Sequence, residues 1–398
     1  MEVDPGEIET KGIIIVKKNP LKTNPLNRLG TLGQSLWLDY IRRDLMVSGE
    51  LHRLIKEDGL RGMTSNPAIF EKAIVDSHDY DGDIDSMALE GKDASAIYEA
   101  ISRRDVQMAA DEFRTVYSAT DGKDGYVSLE VNPHLAHDTK GTIGEARRLW
   151  AALGRPNVLI KVPATAEGLP AIKQLITEGI NVNVTLLFGL PRYRQVAESY
   201  IAGIEARLAL DKNLKHVASV ASFFLSRIDS KVDPLLDKII AEDGDNADLA
   251  RHVLGQTAIS SAKKAYQIFK ELFESPRFKK LIEKGAQPQR LLWASTGTKN
   301  PQYSDVKYVE ELIGPETVNT VPVETLNAFQ DHGTPKARLE HNVGKAAGIM
   351  ERLSDIGINI DSITQQLEDE GVEKFNTPFD KILKTLEQRL LLQLTGVP

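Results

Sequence analysis

Eight short apolar runs alternate with amphipathic stretches, and this alternation constrains the fold more than any other feature of the chain. Short apolar runs bounded by polar or turn-forming residues are typical of buried strands. The runs occupy residues 35–39, 60–64, 126–131, 157–161, 180–185, 216–222, 290–295 and 317–322. The sequence therefore predicts eight strands, each separated from the next by helical segments.

The intervening stretches carry helix signals. Thr142 and Glu145 have the spacing of a capping box, which predicts a helix start at Thr142 and a stop at Gly154. Pro191 suits the first turn of another helix. Residues 249–273 are predicted to form one longer helix.

Strands that alternate with helices favour a mainly parallel sheet. Eight such units in about 300 residues predict an α/β fold, a single (β/α)8 TIM barrel with extra helices. A doubly wound open sheet is the alternative. Its nucleotide-binding forms lose support, because no Gly-x-Gly-x-x-Gly follows the first strand and no Gly-x-x-x-x-Gly-Lys-Ser/Thr occurs in the sequence.

The predicted barrel spans residues 24–398, behind an N-terminal arm formed by residues 1–23. The arm begins acidic and lacks the basic start and long apolar core of a signal peptide. Helical insertions are expected near 70–118 and 229–248. The sequence after Asn342 predicts a helical tail, which either packs across the barrel mouth or serves an oligomer interface such as that of a homodimer.

Composition excludes several classes of protein. The chain has no cysteine, which excludes disulfides, zinc–thiolate sites, iron–sulfur clusters and thiol nucleophiles. A net charge of -8 without a long basic run argues against nucleic acid as a partner. No apolar run approaches the length of a membrane span, so no membrane partner is expected and the predicted location is cytoplasmic.

Lys161 stands in the otherwise apolar run 157–163. Burial disfavours the ammonium form of a lysine, and the free amine is a nucleophile that forms Schiff bases with carbonyl substrates. The alternative is a structural lysine that extends to the strand end or pairs with a carboxylate.

Polar residues recur at the same end of most predicted strands. Singly they fit turns, helix caps or packing, but strands buried on both faces should be nearly continuous apolar runs. The set therefore predicts one shared polar pocket with the groups that amine catalysis requires. Its members are Asp39, Thr64, Asn66, Glu130, Asn132, Lys161, Asn183, Thr185, Ser222 and Ser295.

Other chemistries fit poorly. The sequence contains neither a Gly-x-Ser-x-Gly elbow nor a His-Glu-x-x-His motif. His134 and His137 follow the strand that ends near Glu130 and could be weak metal ligands, although surface or loop histidines are the favoured interpretation.

Seven segments, in order, closely resemble the transaldolase family. They are QSLWLD at 34–39, MTSNP at 63–67, VSLEV at 127–131, IKVP at 160–163, EGINVNVTLLF at 178–188, VASFF at 220–224 and WASTGTKNP at 293–301. The resemblance extends from about residue 24 to the end of the sequence. It is greatest to the longer bacterial branch, which is also found in transaldolase/phosphoglucose isomerase fusions.

This resemblance implies a (β/α)8 barrel and a class I aldol mechanism with no metal and no organic cofactor. Lys161 matches the Schiff-base lysine that attacks the C2 ketone of fructose 6-phosphate or sedoheptulose 7-phosphate. Asp39 matches the carboxylate that removes the C4 hydroxyl proton. Glu130 matches an acid/base that works through a water, and Thr185 matches the residue that holds this water.

The same resemblance implies the binding residues. Those for the sugar are Asn66, Asn183, Ser222 and Phe224, and those for the phosphate are Arg227, Ser295 and Lys299. The family commonly has an arginine in a shorter motif where this chain has Lys299, and lysine binds phosphate only as a point charge. A surface ion pair with Asp229 is the alternative role for Arg227.

The implied activity is the transfer of a dihydroxyacetone unit in the pentose phosphate pathway. The exchanged sugar phosphates are sedoheptulose 7-phosphate with glyceraldehyde 3-phosphate, and erythrose 4-phosphate with fructose 6-phosphate. A fructose 6-phosphate aldolase-like lyase is the alternative, although that group commonly has a tyrosine where this chain has Phe224. A sugar phosphate isomerase with Glu130 as base and a non-catalytic barrel are further alternatives.

Overall fold

A computed structural model describes residues 24–395, so the predicted arm at residues 1–23 lies outside the described residues. Within the described part of the chain, no helix is both long and apolar enough to cross a membrane.

The eight strands pair in sequence order, and the last pairs with the first to close a parallel barrel. This confirms the predicted (β/α)8 barrel and excludes the open sheet. Each strand overlaps one of the eight apolar runs. The strands are β1 (Gln34–Asp39), β2 (Gly62–Thr64), β3 (Tyr126–Glu130), β4 (Val158–Pro163), β5 (Val182–Leu187), β6 (Ser219–Phe224), β7 (Arg290–Ala294) and β8 (Thr317–Val321).

The described helices surround the barrel. They are α1 (Leu26–Thr31), α2 (Arg43–Val47), α3 (Glu50–Glu57), α4 (Pro67–Val75), α5 (Asp81–Leu89), α6 (Ala94–Glu112), α7 (Arg114–Ala119), α8 (Thr139–Leu153), α9 (Gly168–Glu178), α10 (Leu190–Ala209), α11 (Ser226–Ala241), α12 (Ala247–Val253), α13 (Thr257–Phe273), α14 (Pro276–Ile282), α15 (Lys307–Glu310), α16 (Val323–His332), α17 (Val343–Asp355) and α18 (Ile360–Thr395), with a 3-10 turn at Pro133–Leu135.

The barrel interior is filled by large side chains. Trp37 is fully buried and lies beside Gly62 of the neighbouring strand. A Cβ atom on Gly62 would lie 2.5 Å from Cε2 of Trp37, so only glycine leaves room for the indole. The indole thus helps to fill the barrel interior, as layers of side chains do in barrels of this kind.

The predicted start of helix α8 is wrong. Asp138 caps this helix, because its side chain accepts a hydrogen bond from the backbone N–H of Gly141 at 2.9 Å. The Thr142 hydroxyl instead donates to the carbonyl of Leu135 from within the first turn. The predicted stop is confirmed, since Gly154 ends the helix in the left-handed conformation.

The prediction of a single helix over residues 249–273 is also wrong, because residues 254–256 interrupt the helix and separate α12 from α13. Gly255 has a positive φ of +68° and donates its N–H to buried Asp233 at 3.0 Å. Its carbonyl accepts a hydrogen bond from Lys307 at 2.7 Å. The apolar period continues across this break, which explains why the pattern alone missed it.

The long connections place helices around the mouth. Helices α4 to α7 lie between β2 and β3, and the acidic stretch 229–248 lies in α11 and the start of α12. The tail forms α17 and α18. Of the two roles left open for the tail, packing across the barrel mouth is the one observed, because Lys374 and Phe375 of α18 line the central cavity.

Candidate active site

A cavity of about 230 Å³ opens at the carboxyl ends of the barrel strands. This is the end at which barrel enzymes place their active sites. Of the residues predicted for the site, Glu130, Asn132 and Asn183 do not line this cavity. The predicted residues in its wall are Asp39, Thr64, Asn66, Lys161, Thr185, Ser222, Phe224, Arg227, Ser295 and Lys299.

Strand register brings the central groups together. Glu130 pairs with Lys161 on the next strand, and Lys161 pairs in turn with Asn183. Residues paired across neighbouring parallel strands point to the same face of the sheet. Glu130 and Asn183 therefore flank Lys161 inside the barrel, one on each side.

Lys161 is almost completely buried, with 5% of its side chain exposed. Its Nζ donates to the carbonyl of Ser65 at 2.9 Å and lies 3.7 Å from a carboxylate oxygen of Glu130. The carboxylate partner expected of a structural lysine is thus present. Its presence is compatible with a chemical role for Lys161, because the amine also faces the cavity.

Glu130 occupies an unusual environment for a carboxylate. Its side chain is 6% exposed, and among the described residues neither oxygen accepts a hydrogen bond. Burial raises the pKa of Glu130 from 4.5 to about 7, although nearby Lys161 opposes the shift. A carboxyl group that titrates near neutrality can both accept and return a proton.

Asp39 forms the opposite wall of the cavity. Its carboxylate accepts a hydrogen bond from the hydroxyl of Thr64 at 2.7 Å, and that hydroxyl lies 2.7 Å from the hydroxyl of Thr320. Burial raises the pKa of Asp39, while Lys161 and the Thr64 hydrogen bond act against the rise. The site therefore holds one lysine between two carboxylates with raised pKa values.

The predicted sugar-binding amides already have protein partners. Asn183 accepts a hydrogen bond from Ser222 at 2.6 Å and donates to Ser128 at 3.0 Å, which fixes the orientation of its amide. Asn66 caps helix α4 by accepting from the backbone N–H of Ile69 at 3.1 Å. Asn66 thus both caps a helix and lines the cavity.

The predicted alternative for Arg227, an ion pair with Asp229, is wrong. Asp229 is 2% exposed and does not line the cavity. Its carboxylate instead accepts hydrogen bonds from Lys307 and Tyr308. Arg227 faces the cavity, and its buried Nη1 has no hydrogen-bond acceptor among the described residues. Burial lowers its pKa, although an arginine stays charged. The guanidinium is thus available to an anionic ligand.

Further groups that suit an anion line the same cavity. The Ser295 hydroxyl lies 2.9 Å from that of Ser226, and Ser295 has a φ of +53°, an uncommon conformation that is often held at functional sites. Lys299 lies in the wall as predicted, and two lysines that the sequence did not single out, Lys72 and Lys374, join it. The cavity mouth is strongly cationic.

The two histidines considered as metal ligands have other partners. His134 lies 2.7 Å from the carboxylate of Asp380, and His137 lies 3.2 Å from that of Glu167. Among the described residues, no group of three or more histidine and carboxylate side chains is arranged to hold a metal ion.

Sequence reasoning missed the contribution of the C-terminal helix. The ring of Phe375 in α18 has its centroid 5.8 Å from the Nζ of Lys161. Its spacing from Val372 and Phe379 predicts an apolar helix face, but such a pattern does not indicate which part of the molecule the face covers.

The barrel and its lysine-centred polar cavity define a (β/α)8-barrel enzyme. A profile of the family described as Transaldolase/Fructose-6-phosphate aldolase matches residues 36–386. The chain belongs to this family.

Three relatives in particular align over almost their full length. A transaldolase of Trichodesmium erythraeum is 49% identical over 92% of this chain and 98% of its own. Transaldolase 2 of a Nostoc species is 48% identical over 93% and 98%, and a transaldolase of Thermobifida fusca is 44% identical over 92% and 98%. These relatives assign the chain to the transaldolase enzymes, which are transferases.

Proposed function

We propose that this enzyme transfers a dihydroxyacetone unit between sugar phosphates through a Schiff base on Lys161. Lys161 carries the proposal, since its buried amine faces the cavity between Glu130 and Asp39. The donors are fructose 6-phosphate and sedoheptulose 7-phosphate. The acceptors are glyceraldehyde 3-phosphate and erythrose 4-phosphate, as in the pentose phosphate pathway.

The first step joins the donor to the enzyme. The Lys161 ammonium gives up a proton, and the carboxylate of Glu130, 3.7 Å from Nζ, is placed to accept it. The free amine attacks the C2 carbonyl, and the resulting carbinolamine loses water to form the imine. Glu130 returns a proton to the departing hydroxyl through a water held with Thr185. The unpartnered buried oxygens of Glu130 and Thr185 support this assignment.

The second step cleaves the donor. Asp39 takes the proton of the C4 hydroxyl, the C3–C4 bond breaks, and its electron pair moves toward the imine nitrogen. The products are an aldose phosphate and an enamine that remains on Lys161. The hydrogen bond from Thr64 holds the Asp39 carboxylate in one orientation for this proton transfer.

The cationic end of the cavity suits the phosphate group of each substrate. Arg227 and Lys299 supply positive charge and Ser295 supplies a hydroxyl, all in the same wall. Asn66, Asn183 and Ser222 are assigned to the hydroxyls of the retained unit. Phe224 packs against Phe188 with ring centroids 5.1 Å apart, which puts a ring without a hydroxyl into the cavity wall.

Borohydride trapping tests the proposal. The protein is incubated with fructose 6-phosphate, reduced, digested and analysed by mass spectrometry. We expect a dihydroxyacetone-derived adduct on Lys161, with Lys161→Arg as the unlabelled control. An unmodified Lys161 in protein that still turns over substrate would disprove the Schiff-base assignment.

The aldolase-like alternative predicts a different product balance. A lyase would release free dihydroxyacetone from fructose 6-phosphate without any acceptor. Without an acceptor, we expect the wild-type enzyme to release little free dihydroxyacetone. With erythrose 4-phosphate present, we expect it to form sedoheptulose 7-phosphate. Cytoplasmic location and homodimer formation stay predictions from the sequence.

A further inference from the structure

We propose that Phe375 is the residue that keeps the dihydroxyacetone unit on Lys161 until an acceptor aldehyde arrives. This inference rests on the proposed function and assigns a determinant of transfer over hydrolysis to the C-terminal helix. The relevant observation is the position of its ring, beside the amine and in the wall of the cavity.

Phe375 places apolar surface next to the reacting nitrogen. The residue is 4% exposed, and its ring centroid lies 5.8 Å from Nζ of Lys161. On the barrel side, that nitrogen contacts two polar groups, the carbonyl of Ser65 and the carboxylate of Glu130. Phe375 therefore covers a side of the amine from which water would otherwise approach.

Close packing holds this part of helix α18 against the barrel. Gly371 lies one turn before Phe375, and a Cβ atom at Gly371 would lie 3.0 Å from Cδ2 of Leu186. Leu186 directly follows Thr185 of the active site. The absence of a side chain at Gly371 thus lets the helix come near enough for the ring to reach the lysine.

Ion pairs fasten the same helix to several elements around the mouth. Glu368 binds Arg192 of α10 at 3.0 Å, and Glu370 binds Lys231 of α11 at 2.6 Å. Farther along the helix, Arg389 binds Asp81 of α5 at 2.6 Å. Contacts on opposite sides of the mouth oppose tilting of the helix, so the ring is held in place.

The enamine on Lys161 has two fates. In transfer, its C3 attacks the aldehyde carbon of the acceptor, a C–C bond forms, and the aldehyde oxygen takes a proton. In hydrolysis, C3 takes a proton from water, and water then adds to C2 of the resulting iminium ion. The C2–N bond breaks, which releases dihydroxyacetone and the free amine. In transfer, the new C–C bond likewise leaves an iminium ion, which water hydrolyses at C2 to release the product. The two fates therefore differ in what C3 bonds to first, and an apolar cover that keeps water away from the enamine until the acceptor arrives favours transfer.

The test compares two aromatic residues of one helix. Phe375→Ala removes the cover, whereas Phe379→Ala removes a ring that packs on Tyr98, with centroids 5.4 Å apart, one turn farther along. The measured quantity is the ratio of free dihydroxyacetone to transfer product, with fructose 6-phosphate as donor and erythrose 4-phosphate as acceptor. We expect Phe375→Ala to raise this ratio about tenfold and Phe379→Ala to leave it near the wild-type value.

Several outcomes decide the matter. An unchanged ratio in folded Phe375→Ala, or an equal rise in Phe379→Ala, overturns the inference. If Phe375→Ala does not fold, Phe375→Leu takes its place and should give a smaller rise. Wild-type protein is assayed for transfer and for the Lys161 adduct in parallel. Loss of both would refute the proposed function, while their presence with an unchanged ratio refutes only the role of Phe375.

Discussion

At the scale of single residues, the site depends on how burial changes the acidity of its carboxyl groups. Glu130 and Asp39 both have raised pKa values because water is largely excluded around them. Lys161 limits both shifts through its positive charge. Glu130, whose pKa rises to about 7, is therefore suited to exchanging protons near neutral pH.

The raised pKa of Glu130 has a measurable cost in stability. Between its ordinary value of 4.5 and about 7, the folded protein binds the proton more tightly than the unfolded chain does. Wild-type stability contributed by this group is thus complete below pH 4.5 and is lost as the pH rises through 7. The loss amounts to up to about 3 kcal/mol.

Glu130→Gln removes this titration. We expect the free energy of unfolding of the variant, relative to wild type, to increase by up to about 3 kcal/mol between pH 5 and pH 8. Urea unfolding at the two pH values measures the difference. A difference between the two proteins that is independent of pH would contradict the raised pKa of Glu130.

At the scale of elements, the loop between β7 and α15 carries Ser295 and Lys299 into the cavity. Tyr303, near the end of this loop, donates a hydrogen bond to Asp233 of α11 at 2.8 Å. Helix α11 also carries Arg227. Together with the contacts between Ser295 and Ser226 at the start of α11, this hydrogen bond links the loop to the helix that supplies the arginine of the proposed phosphate site.

Tyr303→Phe should loosen this loop. We expect a loss of about 1–3 kcal/mol in unfolding free energy and a severalfold rise in KM for phosphorylated substrates, with kcat little changed. Tyr308→Phe is the matched control, because its hydroxyl donates to buried Asp229 at 2.8 Å from α15 instead of the loop. An equal rise in KM in the control would show that general destabilisation is responsible.

The sequence predicted the strands well because a buried strand requires a run of apolar residues. Polar site residues near the end of such a strand stand out because they interrupt that run. Asp39, Lys161 and Thr185 were found in this way. Arg227 and Phe224 needed the family resemblance, because Arg227 lies at the start of helix α11 and Phe224 is an apolar residue at the end of strand β6, so neither interrupts an apolar strand. Phe375 lies more than 200 residues after Lys161, and only packing in three dimensions brings the two together.

Helix boundaries were harder to predict than strands for a related reason. Asp138 competed with Thr142 as a cap, and both have side chains that can fill the role. Gly255 interrupts an apolar period that continues on both sides. In each case the outcome depends on tertiary partners, such as the hydrogen bond from Gly255 to Asp233.

At the scale of the whole molecule, the two ends of the barrel have different tasks. At the end opposite the cavity, Arg290 donates to Asp124 at 2.8 Å and to the hydroxyl of Ser35 at 2.9 Å. The arginine and aspartate side chains are 6% and 10% exposed. In barrel enzymes this end serves stability, while catalysis belongs to the other.

Arg290→Met tests this division. The change leaves Asp124 buried without its cation, so we expect a loss of about 3–5 kcal/mol in unfolding free energy. The kcat per folded molecule should stay within twofold of wild type, roughly the scatter of such assays. The control is Arg147→Met, which breaks a surface pair with Glu178 and should change the unfolding free energy far less than Arg290→Met does. A large fall in kcat in folded Arg290→Met would refute the separation.

The position of α18 in the chain also affects the order in which the active site is built. Translation proceeds from the N-terminus, so the strand that carries Lys161 leaves the ribosome long before the helix that covers it. All eight strands precede Phe375 in the chain. The wall beside the amine is therefore synthesised only after the whole barrel sheet, and a nascent chain that has not yet reached α18 holds the lysine without its cover.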